Sequence, residues 1–240
     1  MKVHVIDTEQ DLITTFANFF VDQARIYIKS QGQFNVVLSG GSSPKKVYEL
    51  LASPDFRDKV DWRKVYFFFG DERYVPADDP KNNALMVDNA LFKPLHISED
   101  QVFKIDTSLI PTESAEKYMK AIAAHFKGQA IRFDLVLLGL GANAHTASLF
   151  PSTEVLREKK VTVRAVYLKE ENTYRITMTA PMINQAKNIA FLVFGENKAA
   201  AVKQVIKGPR NPEYYPAQLI NPWEGSLHWY MDKRAAMFLS

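Results

Sequence analysis

The chain has 240 residues, 47% of them hydrophobic and 24% charged, with 10 glycines, 12 prolines and no cysteine. That composition supplies a buried core and excludes fibrous or low-complexity chains, disulfide scaffolds, thiolate nucleophiles and cysteine metal sites. Lys and Arg number 30 against 27 Asp and Glu, and a net charge of +3 with dispersed basic residues gives no argument for nucleic acid.

Val3–Ile6 is a short β-branched run, and Thr8-Glu9-Gln10-Asp11 after it matches a capping box. Leu12, Phe16, Phe19, Phe20 and Tyr27 then recur at helical spacing, which predicts an amphipathic helix over residues 9–29. Phe34–Leu38 is an apolar strand that breaks into Ser39-Gly40-Gly41-Ser42-Ser43-Pro44. A helix follows over Lys45–Ala52, with Ser43 expected as its cap and Pro44 in its first position. Val65–Phe69 is apolar on both faces, as a central parallel strand is. Asp78–Asn83 reads as a loop, and Ala84–Phe92 and a segment through Ala115, Tyr118, Ile122 and Phe126 as helices. Phe133–Leu138 is a third buried strand. Val161–Leu168 and Tyr174–Ala180 form an expected hairpin around Glu170-Glu171-Asn172, and Pro181–Lys187 reads as helical. Ile189–Phe194 is a fourth buried strand, Glu196–Lys207 a helix, and Leu227–Met231 a closing strand. Lys45-Lys46 and Arg157–Lys160, the densest basic runs, read as solvated helix faces. Strands alternating with helices throughout predict an α/β chain: one domain over 1–240, with a parallel or mixed sheet covered on both sides. No apolar run approaches the roughly 18 residues of a membrane span. The opening MKVHVIDTEQ has no signal-peptide core, so a cytoplasmic protein is expected.

Ligands of open α/β sheets sit beyond the carboxyl ends of the strands. Ser39–Ser43, Gly70–Arg73, Gly139–His145 and Gly195–Lys198 all fall there. Ser39, Gly40, Gly41, Ser42 and Ser43 have the makings of an anion cradle, because glycines admit close backbone N–H groups and the next helix adds its positive end. The spacing is not that of a Walker A loop, and a plain capped turn is the alternative reading. Gly139-Leu140-Gly141-Ala142-Asn143-Ala144 matches G-x-G-x-x-A, but Pro151 cuts any following helix short. No acidic residue closes a strand about 20 residues on, so a dinucleotide is not expected. His145 follows directly, beside Asn143, Thr146 and Ser148, and reads as catalytic as readily as structural. Asp71, Glu72 and Arg73 offer two carboxylates and a guanidinium, or simply a local ion pair. Lys198 opposes a helix dipole, and Arg175 inside an apolar strand needs an anionic partner. There is no H-E-x-x-H, no close His/Asp/Glu cluster and no G-x-S-x-G elbow, so neither a metal site nor that kind of serine hydrolase is expected.

Six segments in register carry a resemblance: LSGGSSPKKVYELLA (38–52), FFGDERYVP (68–76) with Asn83, FDLVLLGLGANAHTASLFP (133–151), YRITMTAPMINQA (174–186), FLVFGENKAAAV (191–202) and YPAQLINPWEGSLHWYMD (215–232). Together they resemble the lactonase branch of the glucosamine-6-phosphate isomerase/6-phosphogluconolactonase superfamily. The resemblance implies a three-layer α/β/α sandwich with a mostly parallel, Rossmann-like sheet. It also implies hydrolysis of a phosphorylated sugar lactone without a cofactor. His145 matches the family's catalytic histidine and would act as general base on water, with N–H groups of the Gly139–Ala144 turn, Gly141 among them, available to an oxyanion. Ser39–Ser43 match the phosphate-facing loop, Arg73 the substrate-site arginine, and Arg175 and Lys198 basic positions near the phosphate. Where the family usually has Asp-Gly-His-Thr, this chain has Asn143-Ala144-His145-Thr146. Asn143 can hydrogen-bond but supplies no charge, and Ala144 implies that the turn needs no positive φ. Two rivals follow: a sugar-phosphate deaminase or isomerase with Asp71 as base, and a non-catalytic sugar-phosphate sensor. The expected partner is a small sugar phosphate, without nucleic acid or membrane, on a monomer or weak homodimer.

Overall fold

A computed structural model describes residues 1–239. Strand β1 (Lys2–Ile6) leads into helix α1 (Glu9–Gln31). Thr8 caps that helix by accepting the Asp11 N–H at 3.1 Å, and Gly32, at φ 82°, ends it. Strand β2 (Phe34–Leu38) is buried along its whole length and runs into helix α2 (Ser42–Leu51), and β3 (Val65–Phe69) follows. A short strand β4 (Asp71–Arg73) comes next, then helices α3 (Asn83–Val87), α4 (Lys93–Leu95) and α5 (Pro111–His125). A π-helical turn over Asp88–Phe92 joins α3 to α4. Then come β5 (Leu135–Leu138), the hairpin β6 (Val163–Leu168) and β7 (Thr173–Met178), α6 (Ala180–Asn184), β8 (Asn188–Val193), α7 (Ala199–Ile206) and β9 (Ser226–Asp232).

Six strands form a parallel sheet in the order β1-β9-β8-β5-β2-β3. Side chains alternate between faces along a strand, and consecutive residues of β2 show what covers each side. Phe34 meets Phe20 of α1 edge-on at 5.5 Å, while Asn35 faces the other way, its Oδ1 lying 2.7 Å from His125 Nε2 of α5. The sheet is therefore sandwiched between helices, as an α/β chain with doubly buried strands requires. β3 repeats the arrangement, with Phe67 against Phe92 and Phe68 against Phe103 and His125.

The strand order reverses between β2 and β5: the chain grows outward through β3 on one side and through β8 and β9 on the other. A crevice opens at the carboxyl ends where such an order reverses. A second, antiparallel sheet, β4-β7-β6, stands at that same end, because β4 begins one residue beyond β3 and pairs with β7.

Three local expectations are corrected. Helix α2 begins at Ser42 with Gly41 as its cap, so Ser43 is not the cap and Pro44 is not first. Arg157–Lys160 is no helix face: a 3-10 turn ends at Arg157 and an exposed loop follows. Strand β4 was not anticipated.

Candidate active site

The loop after β2 is fixed from below. Tyr48, buried in α2, donates its hydroxyl proton to Ser39 O at 2.9 Å and accepts the Ser39 N–H at 3.1 Å. Burial pushes that phenol's pKa well up. Gly41, at φ 108°, turns the chain into α2, whose first intrahelical bond is Lys45 N–H to Gly41 O. The N–H groups of Ser42 and Ser43 precede that bond at the positive end of a ten-residue helix, and no acidic residue occupies its first turn. Gly40 is required by a close approach: a Cβ there would lie 1.8 Å from Asn83 Oδ1.

Beside that loop, Glu72 is buried and accepts three N–H groups, from Arg73 (2.8 Å), Asn83 (2.7 Å) and Ala84 (2.9 Å). Desolvation nevertheless raises its carboxyl to about 7, and Asp71 adds to the rise. Glu72 ties β4 to the start of α3 and does not line the pocket. Asp71 does, accepting the Ser148 hydroxyl at 2.6 Å. Arg73 and Arg175 stand directly opposite each other in the β4–β7 register, and both line the pocket. Arg73 Nη1 donates to Lys81 O at 2.8 Å. Arg175 Nη2 pairs with Glu171, the anionic partner its strand position demanded, while its Nε is buried without an acceptor. Lys198 enters the pocket from the start of α7, after Gly195 at φ 87°, and desolvation lowers its pKa. Three cations thus converge, two of them cross-strand neighbours whose like charges repel, with the carboxylates of Asp71 and Glu171 beside them.

His145 is held from four directions. Its carbonyl accepts the Gly141 N–H at 2.8 Å, and its ring stacks on Phe150 at 4.0 Å. The other face lies against Gly141, where a Cβ would come within 2.1 Å of Nδ1. Asn143 Oδ1 sits 2.5 Å from that Nδ1. An amide oxygen only accepts, so Nδ1 carries the proton and Nε2 keeps its lone pair. Burial first, then Lys198 and Arg175, press the imidazole down to about 4, against an upward pull from Asp71 and Glu171. The ring is neutral at pH 7.

Ala144 overturns the expectation made for it: its φ is 62°. Its N–H donates to Gly141 O at 2.9 Å, and its carbonyl accepts the Ala217 N–H at 3.0 Å, so two bonds hold an alanine in the left-handed region. No α-helix begins at the loop; a 3-10 turn over Glu154–Arg157 comes next.

A pocket of about 350 Å³ gathers Ser39, Gly40, Gly41, Ser42, Ser43, Asp71, Arg73, Gly141, His145, Arg175 and Lys198. Asn143 stays outside, exposed behind the histidine. Sequence reasoning missed Ser148 as partner of Asp71, Phe150 as the stacking face, and Glu171. The last sat four residues before the arginine that wanted an anion.

With the geometry established, similarity to known proteins decides the family. Residues 7–229 match the family model described as glucosamine-6-phosphate isomerases/6-phosphogluconolactonase. The chain belongs to this family. Among relatives of the glucosamine-6-phosphate isomerase/6-phosphogluconolactonase family, a 6-phosphogluconolactonase of a Nostoc species is 37% identical, over 99% of this chain and 98% of its own. That of Haemophilus influenzae is 33% identical over 97% of each. The structure of 6-phosphogluconolactonase from Trypanosoma brucei superposes with a TM-score of 0.85 at 28% identity, covering 100% of this chain and 98% of that one. A monomeric glucosamine-6-phosphate deaminase, 21% identical with a TM-score of 0.83, shares the fold.

Proposed function

We propose that the chain hydrolyses 6-phospho-D-glucono-1,5-lactone to 6-phospho-D-gluconate in the oxidative branch of pentose phosphate metabolism. The observation that carries the reading is one pocket that gathers three cations, a free helix start and a neutral, tautomer-fixed imidazole. Names of relatives over the whole chain point the same way.

In this account the phosphate lies among Ser39–Ser43, Arg175 and Lys198, and Arg73 holds the lactone or its hydroxyls. Fixing the phosphate fixes the carbonyl carbon near His145. His145 Nε2 takes a proton from water as the water oxygen bonds to C1. The tetrahedral intermediate collapses with cleavage of the bond between C1 and the ring oxygen, and the imidazolium returns its proton to that oxygen. Gly141 and Ala144 spend their N–H groups inside the loop, so the turn offers an oxyanion less than the sequence suggested. The N–H groups of Gly139 and Leu140, both at the pocket, are the turn's other backbone donors there. Asn143 acts through His145 by holding its tautomer. Asp71 orients Ser148 beside the reacting end.

The reading carries with it a single domain, a monomer or weak homodimer, and a cytoplasmic setting, with a small sugar phosphate as partner. Its test is a pH-stat assay on freshly made lactone with glucosamine 6-phosphate as control. Lactone turnover far above the spontaneous rate with no ammonia release is expected. Ammonia release would transfer the site to Asp71 chemistry, and tight binding of 6-phosphogluconate without turnover would make the protein a sensor.

A further inference from the structure

Of the pocket's three cations, Arg175 alone has an ion-pair partner among the described residues. Glu171, on the turn between β6 and β7, holds its Nη2, and both side chains line the pocket. The two differ in freedom: the Arg175 side chain is 13% exposed and that of Glu171 43%. The guanidinium is therefore the fixed member and the carboxylate the accessible one. Arg175 Nε, buried without an acceptor, shows that Glu171 satisfies the guanidinium only in part. Arg73 stands across the strand pair from Arg175, so the guanidinium adds to a field that favours an anion with more than one charge. Glu171 also borders a neighbouring cleft of about 1070 Å³ between the Phe150–Glu158 segment and β6, which gives its carboxylate room to leave.

A carboxylate beside the expected phosphate is adverse to binding. We propose that Glu171 is a placeholder: it occupies Arg175 in the empty protein and yields it to the substrate's dianionic phosphate by turning into the adjoining cleft. Glu171 thereby sets how tightly a phosphate must bind to enter. It acts through Arg175 and is a positioning residue. The assignment rests on reading the pocket as a sugar-phosphate site.

The experiment is calorimetric titration of inorganic phosphate and of 6-phosphogluconate into the full chain, its Glu171→Gln variant, and both in an Arg175→Met background. KM for the lactone is measured alongside. Glu171→Gln keeps the shape and removes the charge. Both ligands are expected to bind roughly two- to fivefold tighter, the scale of a partly exposed ion pair, with KM falling in step. The gain is expected to vanish in the Arg175→Met background. Unchanged or weaker affinity in Glu171→Gln overturns the proposal, since Glu171 would then be structural or a substrate contact. A gain that persists without Arg175 also overturns it, since mere loss of a negative charge would explain it. The titrations need no turnover. Their expected shifts in a chain that does not hydrolyse the lactone would sink the lactonase reading and keep the placeholder, and the converse result would do the reverse.

Discussion

At the scale of the residue, the proposed chemistry depends on one imidazole being neutral and correctly protonated. Asn143 supplies the acceptor that places the proton on Nδ1, and burial with two cations supplies the low pKa. The sign follows: a base whose pKa is about 4 stays active as pH falls from 8 to 5 and is lost only on approach to 4. The kcat profile is therefore expected to be flat over that range. kcat/KM should weaken sooner, because the second ionisation of a phosphate lies near pH 6. Asn143→Asp adds a negative charge against the ring and favours imidazolium, so its acid limb in kcat moves upward. An acid limb already near 6.5 in the unaltered chain would show that His145 is not depressed. Much of this was legible: a histidine after a glycine turn at a strand end, with a hydrogen-bonding neighbour two residues before it. The φ of Ala144 was not, because a bond to Ala217, distant in sequence, imposes it. Nor was the need for Gly141, which arises from where the His145 ring folds back.

At the scale of the element, two tyrosines do matching work. Tyr48 of α2 bridges the N–H and C=O of Ser39, and Tyr118 of α5 bridges those of Phe69 (2.7 and 3.0 Å). Each clamps the carboxyl end of one strand, and the pocket's loops hang from those ends. Tyr48→Phe takes that partner from the part-buried Ser39 N–H and C=O, at a cost of about 1 kcal/mol. A lower Tm and a raised KM for the lactone are expected, read by calorimetry and steady-state kinetics; an unchanged KM would free the loop from that clamp. The larger elements were readable because β2, β3, β5 and β8 are apolar on both faces. Strand β4 was not, since Asp-Glu-Arg carries no alternation and becomes a strand only by pairing with β7. The start of α2 was misplaced because serine and proline made a better local cap than the glycine that the turn geometry selects.

At the scale of the whole molecule, the strand reversal between β2 and β5 explains why residues scattered from Ser39 to Lys198 meet. The same packing makes the fold sensitive to acid. His228 is buried beside His4, stacked at 5.8 Å, with its Nδ1 unpartnered, and burial pushes it down to about 4, as it does His145. Groups with depressed folded values stay neutral in the native state, so stability is full above about 6.5 and is lost as pH falls toward 4. Glu72 works oppositely: raised to about 7, it contributes below its unfolded value of 4.5 and loses that contribution as pH rises through 7. The two histidines outweigh the one carboxyl, and Tm is expected to fall between pH 7 and pH 5. His228→Phe should lessen that fall; an equal fall in the variant would remove His228 from the account.

The most direct test of the central claim is kcat/KM for fresh 6-phosphogluconolactone in the intact chain and in His145→Ala. A general base typically contributes about 10²–10⁴-fold, so a loss in that range with 6-phosphogluconate still bound is the expected result. Undiminished turnover in His145→Ala would contradict the account.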